Sequence, residues 1–181
     1  MKLLEILKEK AFQKKTVTLS SGRISNFYID VKRVSLDPQG AFLIGNELFD
    51  LICKNFSEAK AVGGLTLGAD PLATAVSISS WVAQKPLSAF IVRKEAKGHG
   101  LARLIEGSDL IPQKSKVVIL EDVVTSGKSS LEAAQKARDF GWEVLGVAAV
   151  VDRQEGGREA LEAQNLVLKS LYCKSDFGII E

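Results

Sequence analysis

Residues 144–151, VLGVAAVV, hold no polar side chain over eight consecutive positions. A strand with one face in water alternates apolar and polar residues. A run that is apolar on both faces has to be covered on both, as in the centre of a parallel sheet. Parallel strands need long crossover connections, and helices are what cover the two faces, so this stretch predicts an α/β layering. The rest of the chain supplies suitable partners. Residues 61–64, 87–92, 117–120 and 166–171 read as further strands, with helices expected over about 70–83, 128–140 and 157–164, the second stopped by Gly141. Upstream, residues 2–12 place Leu3, Leu4, Leu7 and Phe12 on one helical face. Residues 16–19 and 27–31 read as two short strands joined through a Ser-Ser-Gly turn. Asp37-Pro38 reads as an N-cap with proline at the first helical position, opening a helix to about residue 54. No repeat, linker or low-complexity tract divides the 181 residues, so 1–181 is expected as a single domain. In such a sheet ligands bind beyond the carboxyl ends of the strands, which puts the loops 64–70, 93–106, 121–129 and 152–157 on one rim.

Charge and cysteine content narrow the function classes. A formal charge of +2 is too small to predict nucleic-acid or membrane binding from bulk electrostatics, so any charge-driven function lies in a local cluster. The amino terminus alternates charged and apolar residues instead of forming a signal peptide, and 144–151 is too short to cross a bilayer. Cys53 and Cys173 stand apart from one another and from His99. They are expected as reduced core thiols in a cytoplasmic protein. With one histidine in the chain, a histidine-built metal centre and a histidine-based triad are excluded.

The stretch VVILEDVVTSGKSS, 117–130, carries the chemistry. Its Gly127-Lys128-Ser129 resembles the end of a P-loop, but the first glycine of that motif would fall on Asp122, where a carboxylate would repel the phosphates it should cradle. Thr125, Ser126, Gly127, Lys128 and Ser129 still lie between a strand and a helix, where amides point outward and the helix dipole favours an anion. Glu121 and Asp122, just upstream, can accept hydrogen bonds from a vicinal diol. A monophosphate and a diol together describe a ribose 5-phosphate.

Two further features face the same rim. Strand 87–92 runs into Arg93-Lys94-Glu95-Ala96-Lys97-Gly98-His99-Gly100, a basic loop with glycine hinges that could close over an anionic leaving group. A solvated charged loop is the plain alternative. Arg153 stands at the end of the 144–151 strand, where its planar fork can grip a carboxylate or carbonyl; the plain alternative is a salt bridge to Asp152 or Glu155.

At 117–129 the sequence resembles the type I phosphoribosyltransferases, whose signature is an apolar run, two acids, two apolar residues and T-[SGA]-G-x-[ST]. Residues 93–100 are similar to the R-K-x-x-K-x-H-G loop of the orotate phosphoribosyltransferase family. The segments 21–30, 63–71 and 151–155 also match that family, so the resemblance covers nearly the whole chain. It implies the type I phosphoribosyltransferase fold, an α/β fold in which a central parallel sheet is flanked by helices, with a small N-terminal hood from about 1–35. It implies that orotate and 5-phosphoribosyl 1-diphosphate (PRPP) give orotidine 5′-monophosphate and diphosphate.

By the same resemblance PRPP is bound by Glu121, Asp122, Val123, Val124 and residues 125–129, with Arg93, Lys94, Lys97 and His99 on its diphosphate. Lys97, His99 and Asp122 are the catalytic residues, and Thr125 and Arg153 contact orotate. Mg²⁺ rides on PRPP with no direct protein ligand, and the loop of one subunit enters its neighbour's site in a homodimer. Some members carry a lysine before the Ser-Gly turn and Tyr-Lys in the 63–71 loop; Ser20 and Thr66-Leu67 stand there in this chain. Two alternatives stay open: a phosphoribosyltransferase for another base, such as a purine, and a non-catalytic PRPP sensor. The second would need a DNA-binding module, for which no helix-turn-helix segment or basic arm is evident.

Overall fold

A computed structural model describes residues 2–18, 24–95 and 104–179. Six strands form the main sheet in the order β10-β9-β8-β5-β6-β7. These are β5 Ala61–Leu65, β6 Ser88–Val92, β7 Ile105–Glu106, β8 Lys116–Val124, β9 Glu143–Asp152 and β10 Val167–Cys173. All neighbouring pairs are parallel except β6 with β7. The alternation of side chains along β8 shows why both faces had to be covered. Val118 and Leu120 pack beneath α3 (Pro38–Asn55) and α4 (Asp70–Val82), whereas Val117 and Ile119 pack beneath α5 (Lys128–Asp139) and α6 (Gly157–Glu162). Each such aliphatic side chain, fully buried, contributes roughly 1.5–3 kcal/mol. Helix α3 begins as expected, with Asp37 Oδ1 accepting from the Gly40 amide at 3.0 Å.

The amino-terminal part departs from the simple helical reading. Leu3–Ile6 forms α1, Leu7–Ala11 continues it as a π-helical turn, and Phe12 already belongs to β1 (Phe12–Gln13). Leu3, Ile6, Leu7 and Ala11 are buried, and Leu4 and Phe12 pack partly buried against the same core, so Ile6 and Ala11 widen the expected face. β1 pairs with β4 (Tyr28–Ile29), and β2 (Val17–Thr18) pairs with β3 (Ile24–Ser25), both antiparallel. A short helix α2, Lys32–Ser35, then leads to α3. Neither α2 nor β7 was expected, because each is too short to show a period.

β8 also runs four residues beyond the apolar stretch that announced it. Its end pairs Glu121 with Ala149, Val123 with Val151 and Val124 with Asp152. Backbone pairing to β9, not side-chain polarity, decides where the strand stops. The two acids are therefore held on a rigid strand end instead of a loop. No helix among the described residues is long and apolar enough to cross a membrane, and Cys53 and Cys173 are both free thiols.

Candidate active site

The turn from β8 to α5 forms one side of a cleft. Gly127 adopts φ +78°, a conformation that a side chain disfavours, and this lets the chain reverse directly into α5. The α6 turn supports it from behind: a Cβ on Gly157 would approach the Thr125 carbonyl oxygen to 2.7 Å. Val124 and Gly127 are buried, Thr125 is half-buried, and Ser126, Lys128 and Ser129 are exposed. The hollow above them has a volume of about 320 Å³ and is lined by residues 123–130 with Leu65, Lys94, Glu121 and Glu132. Backbone amides at the start of a helix make such a hollow suited to a phosphate.

The two acids, adjacent in sequence, meet different surroundings. Glu121 is 8% exposed and accepts a hydrogen bond from Ser130 Oγ at 2.9 Å on Oε2. Burial, and then the neighbouring Asp122 carboxylate, push it up to about 8. Its protonated form is favoured, and in that form it can both donate to and accept from a hydroxyl. Asp122 faces a second hollow of about 280 Å³, which shares Leu65, Lys94, Glu121 and Ser129 with the first. One Asp122 oxygen accepts from the Val123 amide at 2.8 Å, and the other lies 3.3 Å from Lys32 Nζ. Gly68 closes over Asp122, so a Cβ there would come within 2.8 Å of Oδ1. Thr66 and Leu67, joined by a cis peptide bond, also line this hollow.

Of the basic loop, Arg93 and Lys94 fall among the described residues; Lys97 and His99 lie outside them. Lys94 lines both hollows. Arg93 is turned to Glu106 on β7, and lines a neighbouring hollow with Thr66. Lys136 on α5 pins the root of the loop, its Nζ donating to the Arg93 and Lys94 carbonyls at 2.9 and 3.0 Å.

Arg153 follows β9 directly, its amide bonded to the Val124 carbonyl at 2.9 Å, so it stands beside Thr125. Its guanidinium is bonded to Glu155 Oε1 through Nε at 3.1 Å and Nη2 at 2.9 Å, and lies 4.1 Å from the Phe27 ring centroid. The salt bridge to Glu155 is thus present, whereas Asp152 pairs with Arg158 at 2.9 Å. Only 2% of Arg153 is exposed.

Three contributors carry no sequence motif. Ser130 looks like one more helix-start hydroxyl, and Lys136 like a surface lysine of α5. Lys32 follows Asp30 by two residues in a segment whose helix is too short to recognise. Only the Asp30-x-Lys32 spacing could have drawn attention to it.

A largely parallel sheet whose β8 end carries two acids, two residues before a strand-to-helix turn suited to an anion, is the architecture of a phosphoribosyltransferase. No protein-family model matches the chain. Individual relatives do match. The chain is 45% identical over 178 residues to the orotate phosphoribosyltransferase of Aquifex aeolicus, covering 97% of this chain and 95% of that one. It superimposes on the Mycobacterium tuberculosis orotate phosphoribosyltransferase, crystallised with Fe(III) dicitrate, with a TM-score of 0.84 and 42% identity, covering 98% and 97% of the two chains. A crystal structure of the M. tuberculosis enzyme in complex with PRPP matches with a TM-score of 0.79 and 39% identity, covering 98% and 97%. The chain belongs to the orotate phosphoribosyltransferase family, a family of pentosyl-transferring enzymes.

Proposed function

We propose that this protein transfers the 5-phosphoribosyl group of PRPP to ring N1 of orotate, a step of pyrimidine nucleotide synthesis. The N1–C1′ bond forms, the C1′–O bond breaks, and its electron pair leaves with diphosphate, inverting the anomeric carbon. The observation that carries this reading is the sharing of one cleft by the acid pair and the phosphate turn. Residues 125–129 hold the 5-phosphate, and Glu121 and Asp122 hold the ribose hydroxyls, with Val123 and Val124 fixing the spacing between the two groups. Orotate N1 is already anionic, so no strong base is needed; catalysis is positional and electrostatic. Lys97 and His99, with Lys94, neutralise the departing diphosphate. Arg93 joins them on releasing Glu106.

Thr125 and Arg153 serve orotate. Arg153 is covered by Phe27 and Glu155, so its fork reaches orotate only when the Phe27 segment shifts. A planar guanidinium fork suits the carboxylate of an acidic pyrimidine, a group that a purine base lacks.

Magnesium is read as a passenger of PRPP, where it would supply charge neutralisation on the diphosphate, with the Glu121 and Asp122 carboxyls lining the same hollow. We also read the protein as one domain over 1–181 with residues 1–35 as a hood, cytoplasmic, and not a nucleic-acid binder. As a homodimer it shares its active sites. Ile78, Trp81 and Val82 on α4, with Leu110, expose an apolar patch beside β6. Trp81 and Val82 are three-quarters exposed, more than a solvated helix face usually leaves open, and a second copy is the occupant we assign. The patch sits at the carboxyl-terminal end of α4 and beside the first residues of β6, about a helix length from the cleft loop at which α4 starts.

The test is loss of orotate's near-ultraviolet absorbance on adding PRPP, with and without Mg²⁺. Metal-dependent loss with orotate and none with a purine base is the expected result; the reverse preference would overturn the base assignment.

A further inference from the structure

Lys32 stands at the start of α2, where the amino-terminal segment returns over the carboxyl end of β8. The segment is tied back to the first helical turns by the Asp30 amide, which donates to the Ala11 carbonyl at 3.0 Å. Lys32 Nζ lies 3.1 Å from Asp30 Oδ1 and 3.3 Å from Asp122 Oδ2, so it joins this segment to one of the two acids of the site. Its side chain is 42% exposed, and it lines the hollow of Thr66, Leu67, Gly68 and Asp122. The 66–68 stretch carries no cation. Among the described residues lining that hollow, Lys32 and Lys94 are the cations.

Charge then poses a problem for the binding of PRPP. Its 1-diphosphate must approach C1′ on the side where Asp122 holds the ribose hydroxyls, and a diphosphate beside an uncompensated carboxylate is repelled. Lys32 removes the difficulty because an ammonium has three donors and two carboxylate partners here. It can remain on Asp122 and reach a phosphate oxygen with the third.

We propose that Lys32 is a substrate-contacting residue of the transfer reaction, holding the diphosphate of PRPP while it bridges to Asp122. In the free protein it neutralises Asp122, and in the complex it stabilises the leaving group. Asp30 is its positioning residue. The inference rests on the PRPP reading above and adds to it a cation that arises from the amino-terminal segment, not from the 93–106 loop.

The test titrates inorganic diphosphate and ribose 5-phosphate separately into the wild type, Lys32→Met and Lys32→Arg, alongside steady-state kinetics. For Lys32→Met we expect diphosphate binding weakened about tenfold or more and KM for PRPP raised by a similar factor. Ribose 5-phosphate binding and KM for orotate should change less than about twofold, and Lys32→Arg should recover most of the loss. Asp30→Asn is expected to give an intermediate rise in KM for PRPP. Unchanged diphosphate binding by a folded Lys32→Met would overturn the inference. So would equal losses for both ligands together with a lowered Tm, which mark a purely structural bridge. A wild type that binds neither ligand would instead overturn the function itself.

Discussion

The two sides of the cleft are built by different means. On the sheet side the phosphate turn consists of backbone, fixed by β8, by the start of α5 and by the buttress of Gly157. On the opposite side stand long charged side chains, Lys32, Lys94 and Arg93, held by ion pairs or simply exposed. A group that keeps its charge throughout the reaction suits a rigid floor. A group whose charge grows as a bond breaks suits cations that can move onto it. The acid pair repeats the contrast on a smaller scale: Glu121 is buried in the floor and pushed upward by that burial, and Asp122 is paired with Lys32 from the roof.

The comparison breaks most readily at the roof. Lys97→Ala is expected to lower kcat roughly 10²-fold with Tm unchanged, as the loss of one charge stabiliser requires. A near-wild-type rate would leave the loop without a catalytic part. Mixing Lys97→Ala subunits with Asp122→Asn subunits should restore part of the activity, because one site in each heterodimer would then be intact. No restoration would mean self-contained sites.

A smaller effect is expected from the floor. Gly127→Ala forces a side chain to φ +78° and brings its Cβ to 3.0 Å from the Gly157 carbonyl oxygen. It should destabilise the protein by about 1–2 kcal/mol and raise KM for PRPP more than KM for orotate, as differential scanning and kinetics would show.

Glu121 sharpens the contrast through pH. Its folded value of about 8 lies above that of a free carboxyl, so between those two values the folded state holds a proton that the unfolded state has lost. Stability should fall as pH rises through that window and level off above it. Relative to Glu121→Gln, the wild type should lose roughly 5 °C or more of Tm between pH 5 and pH 8. Parallel Tm profiles would show Glu121 to be ionised throughout. The smallest effect is expected for Lys128→Ala, whose side chain is exposed. On the proposed reading, in which the floor binds through amides, KM for PRPP should change by about twofold at most. A tenfold rise would mean that a side chain holds the phosphate after all.

Legibility followed the same division. The strand-turn-helix at 117–130 could be read because its determinants are local: an apolar run, two acids, a glycine and a helix start within fourteen positions. The α/β layering, the two-faced core and the position of the turn follow from such patterns; the order of the strands, set by long-range pairing, does not. Glu121 and Asp122 could be located in the same way, but their different surroundings could not. Glu121 is raised by its burial and by the Asp122 carboxylate, and Asp122 meets Lys32, ninety residues away in sequence. Arg153 was visible as a strand-end cation, yet Phe27 above it was not, because the stacking joins two segments that no spacing relates.

Taken alone, the sequence determined the layering, the position of the phosphate turn and the identity of the acids, because hydrophobic period and turn chemistry act over a few residues. The tertiary structure decided which cations meet which carboxylates, and which of two adjacent acids is buried and pushed upward. Electrostatic energies depend on distance through space and on burial, and neither is defined until the chain has folded.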